Sequence, residues 1–173
     1  MKSFGKYLGG GLAFGAFGGR ADVLAVFDPR PSNPSPLAHH GTFNNNTLAM
    51  HVGYTGLTGI YTPGVCAGLN NQGSALLERL RETTRGTKLC FTGMGAVMAS
   101  HFTDGGLQTL ERETDENWAL KDLFWFELME AGFWLSRRGS ISLVLGTPVA
   151  ELDRFVVCVA SFLRRHENVV RVR

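Results

Sequence analysis

The sequence predicts an α/β fold, and three observations predict it. Apolar residues recur at steps of three and four over 63–85, 117–131 and 148–166, the signature of amphipathic helices. The run "KLCFTGMGAVMASHF", 88–102, alternates and is rich in strand-compatible residues. Residues 4–20, "FGKYLGGGLAFGAFGGR", hold too much glycine for a helix, because each interior glycine costs about 1 kcal/mol relative to alanine. Such a run suits a loop feeding a short strand, with backbone packed closely against something else.

The elements follow in order. "ADVLAVF", 21–27, can form one or two helical turns, and Pro29 stops them. "PRPSNPSP", 29–36, is a proline-rich connector. From Asn46 onward the chain has enough apolar and small residues for a buried helix. The next helix is marked at both ends, with Thr62 as N-cap, Pro63 in the first turn and Gly86 at the exit. Val65, Cys66, Leu69, Gly73, Leu76, Leu77 and Leu80 form its apolar face, and Arg79, Glu82 and Arg85 are spaced for surface pairs. A helix over 117–131 turns Leu120, Leu123, Phe124, Leu128 and Ala131 to one side and ends at Gly132. "GFWL", 132–135, and "SISLVL", 140–145, read as strands. The last helix has Thr147 as cap and Pro148 at the first position. Its core face is Leu152, Phe155, Val156, Val159 and Leu163, and Arg164, Arg165 and His166 suit its C-terminal end. The second half therefore reads as a compact α/β lobe. The domain boundary is expected near Gly86, with 63–86 as a connecting helix.

Length and composition bound the function. The 173 residues suffice for one domain with a real core. A formal net charge of +2 gives no argument for nucleic acid or a membrane surface. Cys66, Cys90 and Cys158 are odd in number and form no CxxC, which fits neither a disulfide framework nor a zinc site. No apolar run reaches membrane-spanning length. Lys2 and the apolar stretch Tyr7–Phe17 have the outline of a signal peptide, but glycine interrupts it and no A-x-A-like site follows. A cytoplasmic location is expected.

Several motifs fail on spacing. Lys6 sits beside Gly5, but a P-loop needs GxxxxGK[ST], and Tyr7 follows. Gly93-Met94-Gly95 is a poor dinucleotide fingerprint. Adjacent His39 and His40 point apart and lack a spaced third ligand, so no metal is expected. His51 and His101 read as structural. Lys6, in a glycine-rich and partly buried turn, has another use. Desolvation lowers an ammonium pKa, and a neutral amine can attack an aldehyde. A Schiff base with pyridoxal 5'-phosphate (PLP) is the commonest such chemistry, and a plain loop lysine is the alternative.

The segment "GKYLGGGLAFGAFGGRADVLAVFDP" resembles the PLP-lysine region of class III aminotransferases, in particular the glutamate-1-semialdehyde 2,1-aminomutase branch. "HHGTFNNNTLAM" resembles that family's glycine-threonine loop and "TPGVCAGLNNQGSALLERL" its following helix. "LCFTGMGAVMASHFT" and "LFWFELMEAGFWLSRRGSISLVLGTPVAELDRFV" resemble the two ends of its small C-terminal domain. The resemblance covers nearly the whole chain in order.

It implies the C-terminal part of a fold type I PLP-transferase: an incomplete large domain over 1–62, the connecting helix, and a small α/β domain over 87–173. It implies PLP as cofactor, a small amino acid or amine as substrate, and a homodimer. Lys6 matches the lysine that bonds PLP and moves protons. Thr42, with Gly41, matches the threonine that reaches the PLP phosphate of the neighbouring subunit; a turn or helix cap is the other reading of Thr42. The family's phosphate-cradling turn, ring-stacking aromatic and pyridine-binding aspartate lie upstream of the lysine. The chain starts just before it, so impaired catalysis, or a non-catalytic remnant that associates with a full-length relative, is expected. The chain also departs from the aminomutase pattern, with Arg137 and Arg138 before Gly139 where that branch carries a glutamate. One of these arginines meeting a substrate carboxylate competes with a plain surface pair. Apolar surface is expected to be exposed around Leu8, Leu12, Phe14 and Phe17.

Overall fold

The structure, a computed structural model, describes residues 1–33, 36–105 and 116–172. These form two compact units, Met1–Val65 and Cys66–Arg173. The division falls within the first turn of the long helix rather than near Gly86, and the helix's apolar face packs into the second unit.

In the first unit, β1 (Lys2–Gly5) and β2 (Gly15–Gly18) pair as an antiparallel hairpin, with Lys2 opposite Gly18 and Gly5 opposite Gly15. The chain folds straight back on itself between the two strands. Between the strands, Lys6–Gly9 forms a 3-10 turn, followed by a tight turn in which Leu12 N–H donates to the Gly9 carbonyl at 2.9 Å. Helix α1 (Ala21–Leu24) continues as a 3-10 turn over Ala25–Phe27. It stops at Asp28, which takes the extended conformation imposed on the residue before Pro29. Helix α2 (Thr47–Thr55) runs on into a π-helical turn over Gly56–Ile60. It is not a buried helix as expected: only Ala49 and Gly53 are buried, and Leu48 and Tyr54 face solvent. Leu12 and Phe17 are exposed, whereas Leu8 and Phe14 are half-buried.

The second unit has a continuous core. Helix α3 (Pro63–Thr83) begins in the first unit, where the Thr62 hydroxyl accepts from Val65 N–H at 3.4 Å. Strands β3 (Leu89–Met94), β4 (Val97–Phe102) and β5 (Ser140–Ser142) make an antiparallel meander in that order. Register pairs Leu89 with Phe102 and Met98 with Ile141, so Phe91, Met98, Phe102 and Ile141 enter the core. A methyl on Gly73 would come within 2.1 Å of the Gly95 carbonyl oxygen, so α3 and the β3–β4 turn touch through backbone. Helices α4 (Trp118–Glu130), α5 (Val149–Arg165) and the short α6 (Glu167–Val170) complete the unit. Phe102, Phe124 and Phe162 meet edge to face, with ring centroids 5.0–6.0 Å apart.

Three local expectations need correction. "GFWL" is not a strand: Phe133 N–H and Leu135 C=O are taken by the Leu128 carbonyl and the Trp125 indole, which fold the segment back on α4. Only Ser140–Ser142 of "SISLVL" pairs. Pro148, extended at ψ 144°, is itself the N-cap position of α5, and the Thr147 hydroxyl bonds the Val144 carbonyl instead. In α4 the fully buried residues are Lys121, Phe124 and Leu128, with Leu120 and Leu123 only partly covered. Arg79 pairs with Asp153 at 2.8 Å rather than with Glu82, which takes Arg85.

Candidate active site

Lys6 opens the 3-10 turn at φ +56°, in the left-handed region. A side chain there costs roughly 1–2 kcal/mol, so the surroundings must impose the conformation. Two elements do so. The β1–β2 hairpin fixes the entry at Gly5, opposite Gly15. Helix α2 fixes the far side: a methyl on Gly53 would lie 2.3 Å from the Leu8 carbonyl oxygen, and one on Gly10 would lie 2.1 Å from Val52 Cγ1. The helix backbone thus sits directly on the turn that carries the lysine. Glycine at 10 and 53 permits this contact, which is the packing that the glycine-rich run foreshadows.

The Lys6 side chain itself is exposed, not partly buried, because hairpin and helix press on Leu8–Gly10 and leave position 6 at the rim. Among the described residues its amine has no hydrogen-bond or ion-pair partner.

Gly41 and Thr42 lie in an exposed turn just before α2. Asn44 N–H donates to the Gly41 carbonyl at 3.0 Å, which puts Thr42 at the second position of that turn. Asn46, not Thr42, caps the helix: its Oδ1 accepts from Ala49 N–H at 3.0 Å. The Thr42 hydroxyl has no hydrogen-bond partner among the described residues. The lysine turn and the helix that follows the Thr42 turn are therefore in direct contact. His39 packs edge-on against Phe17, with ring centroids 5.1 Å apart, and lines an open cleft with Phe14, Phe43 and Asn44.

Away from these residues, the second unit holds a polar cluster that sequence reasoning did not single out. Lys121 Nζ donates to Glu116 Oε2 at 2.8 Å, and both side chains are under 5 % exposed, at 3 % and 4 %. Glu116 also accepts from Phe102 N–H at 2.7 Å and contacts His101 Nδ1 at 3.2 Å; His101 Nε2 meets the Thr92 hydroxyl at 2.9 Å. Burial pushes the Glu116 carboxyl up, but the bonds from Lys121, Phe102 N–H and His101 outweigh it and hold the group below its ordinary value. The Cys90 thiol is pushed up by burial and by the nearby Glu116 charge. Arg137 is held by Asp122 through two bonds of 2.7 Å, while Arg138 is exposed.

No protein-family model matches the chain. An uncharacterized aminotransferase of Schizosaccharomyces pombe is 43% identical over 173 residues, which is 99% of this chain and 39% of the relative. The beta-phenylalanine transaminase of Variovorax paradoxus is 42% identical over 168 residues, covering 96% and 38%. A glutamate-1-semialdehyde 2,1-aminomutase of Pelotomaculum thermopropionicum is 29% identical over 138 residues, covering 79% and 31%. Among solved structures, the V. paradoxus beta-phenylalanine aminotransferase superposes with a TM-score of 0.87 at 41% identity, over 99% of this chain and 40% of that one. An omega-transaminase from Sphaerobacter thermophilus gives 0.76 at 28%, over 94% and 37%.

Hairpin, lysine turn and small α/β unit together define the C-terminal portion of a PLP-transferase fold. Over nearly its whole length the chain is similar to PLP-dependent transaminases. It spans about two fifths of the length of the curated transaminases it matches. The identity is higher with these transaminases than with the aminomutase above. PLP is the cofactor of this family. The residues present fit it on two counts: a primary amine, without a partner among the described residues, on an imposed left-handed turn, and an exposed hydroxyl in the turn that precedes the helix packed against it. Among the described residues no helix is long and apolar enough to cross a membrane.

Proposed function

We propose that this protein acts in PLP-dependent amino-group transfer of the transaminase type, with Lys6 as the cofactor lysine. The observation that carries the reading is the left-handed Lys6, held from both sides by the hairpin and by α2. When bound, PLP supplies an electron sink beside the amino nitrogen of the substrate. Lys6 Nζ attaches the cofactor and then holds and returns a proton as the amino group moves. The turn fixes the Lys6 backbone, so the same side chain starts from one anchor for both tasks. Thr42 Oγ1 and the backbone N–H groups of the Gly41–Thr42 turn are donors for a phosphate oxygen, serving a neighbouring copy in a homodimer. Substrates are small amino acids or amines, and β-amino acids with an aromatic substituent, the kind named for the V. paradoxus relative, are the first to try. Transfer is favoured over isomerisation of glutamate 1-semialdehyde because Arg137 and Arg138, not a glutamate, precede Gly139.

The test supplies PLP, a β-amino acid and a 2-oxo acid, and follows the new amino acid by chromatography. Transfer that disappears in Lys6→Ala supports the reading. Conversion of glutamate 1-semialdehyde without any transfer to the oxo acid would replace it with an isomerase.

A further inference from the structure

A hydroxyl, an imidazole and a carboxylate stand in line on the sheet of the second unit. Register puts Thr92 opposite Ala99 and Cys90 opposite His101. Thr92, Ala99 and His101 therefore share the sheet face turned away from Phe91, Met98 and Phe102. Thr92 Oγ1 lies 2.9 Å from His101 Nε2, and His101 Nδ1 lies 3.2 Å from Glu116 Oε2. Glu116 fixes the direction of both bonds. Its carboxyl, held below the ordinary glutamate value, is ionised at neutral pH and can only accept. The proton of a neutral His101 ring thus sits on Nδ1, and Nε2 turns a lone pair to the Thr92 hydroxyl. The carboxylate is held in turn by Lys121 Nζ at 2.8 Å and Phe102 N–H at 2.7 Å, and the Lys121–Glu116 pair is itself buried. Thr92 and His101 are only half-buried, and the residue opposite Thr92 is a small alanine, which leaves the hydroxyl within reach of a small molecule. None of these residues has a part in the chemistry proposed for Lys6.

We propose that Thr92 is the nucleophile of a second site, with His101 as its general base, and that it takes the acyl group of a small activated ester. A nucleophile within hydrogen-bond reach of a base, itself oriented by a third group, is the arrangement that lets a hydroxyl react at neutral pH. Thr92 Oγ1 forms a bond to the ester carbonyl carbon while its proton passes to His101 Nε2. The bond from that carbon to the leaving oxygen breaks, and the leaving oxygen keeps the electron pair and takes the proton back from His101. The products are acyl-Thr92 and a free alcohol or phenol. Water, deprotonated by the same nitrogen, then releases the carboxylic acid and restores the hydroxyl.

The experiment supplies p-nitrophenyl acetate and follows release of p-nitrophenol by absorbance. The reference is Thr92→Val, which keeps the branched shape and lacks the hydroxyl. Exposed amines such as Lys6 react with the ester in both proteins, so the excess in the parent is the part due to Thr92. The parent should release p-nitrophenol faster than Thr92→Val, and Thr92→Ser should keep the excess. His101→Gln, which fills the space without a base, should lower the excess about a hundred-fold, the lower end of what a positioned general base contributes. Equal release by the parent and a folded Thr92→Val overturns the proposal, and so does a folded His101→Gln that keeps the excess. Should either variant fail to fold, shown by tryptophan fluorescence, the parent is treated with phenylmethanesulfonyl fluoride, whose sulfonyl ester resists water, and the label is mapped by peptide mass spectrometry. Label on Thr92 ahead of every other threonine and serine supports the site. Label on Thr92 no greater than on the exposed Thr42 overturns it.

Discussion

Replacing Lys121 with methionine removes the cation from a buried cluster and leaves its geometry nearly intact. The Lys121–Glu116 pair lies almost wholly out of water, and removing one partner of such a pair costs about 3–5 kcal/mol. The structure puts this case near the lower end. Glu116 keeps the Phe102 N–H at 2.7 Å and the His101 ring at 3.2 Å. Methionine also retains the lysine stem's packing beside Gly139, where a methyl would come within 2.9 Å of Lys121 Cε. A lost cation–π contact with Trp118, 5.0 Å from ammonium to ring centre, adds about 0.5–1 kcal/mol. The expected loss is about 3–4 kcal/mol. Urea unfolding followed by tryptophan fluorescence isolates the right unit, because Trp118, Trp125 and Trp134 all lie in Cys66–Arg173. With a slope of about 2 kcal/mol/M, the midpoint should fall by about 1.5–2 M. Adding Glu116→Gln to Lys121→Met should recover most of the loss, since no unpaired charge is then buried. A single variant that unfolds within 0.2 M (roughly 0.4 kcal/mol at that slope) of the parent refutes the reasoning.

Acid should unfold the second unit by the same route. Glu116 and Glu127 are both held below the ordinary glutamate value, Glu127 because bonds from Arg165 and His166 outweigh its burial. Their stabilisation is complete above the unfolded value of about 4.3 and is lost as the pH falls through their lower folded values. The fluorescence midpoint should therefore drop steeply below about pH 4.3, and less steeply in Glu127→Gln. Phe162→Ala removes a ring shared by Phe102 and Phe124 and should lower unit stability by about 3–5 kcal/mol, read in the same urea titration. Gly53→Ala must push α2 off the Leu8 carbonyl and should release the lysine turn, seen as faster hydrogen exchange over residues 6–12 with the second unit unaffected. Limited proteolysis should trim residues 1–65 first, because Ala49 is the buried apolar side chain of that unit among the described residues, whereas the second unit holds an extended core. Uniform cleavage along the chain would contradict this.

Helices α3 and α5 were legible in the sequence because their apolar residues keep one helical face over five turns or so, and Thr62–Pro63 marks the start of the first. The error at Thr147–Pro148 has a local cause: a proline can open a helix or stand just outside it, and only ψ at 148 distinguishes the two. "GFWL" has strand-like side chains, yet its backbone groups are taken by α4, a tertiary fact that no local pattern carries. At the candidate site, Lys6, Gly41 and Thr42 stood out by their setting among glycines and by family resemblance. The left-handed backbone at Lys6 did not, since lysine gives no sign of it. The cluster of Thr92, His101, Glu116 and Lys121 was invisible for a different reason: its successive members are 5 to 15 residues apart along the chain, and the strand register and α4 bring them together.

The most direct measurement is a map of where PLP attaches. The protein is mixed with PLP, reduced with borohydride and digested, and its four lysines are compared by mass spectrometry. Lys2 is exposed and serves as the internal control for non-specific reaction; Lys88 is paired with Asp104, and Lys121 is buried against Glu116. Saturable labelling confined to Lys6 is the expected result. Labelling of Lys2 to the same extent as Lys6 would contradict the assignment of Lys6 as the cofactor lysine.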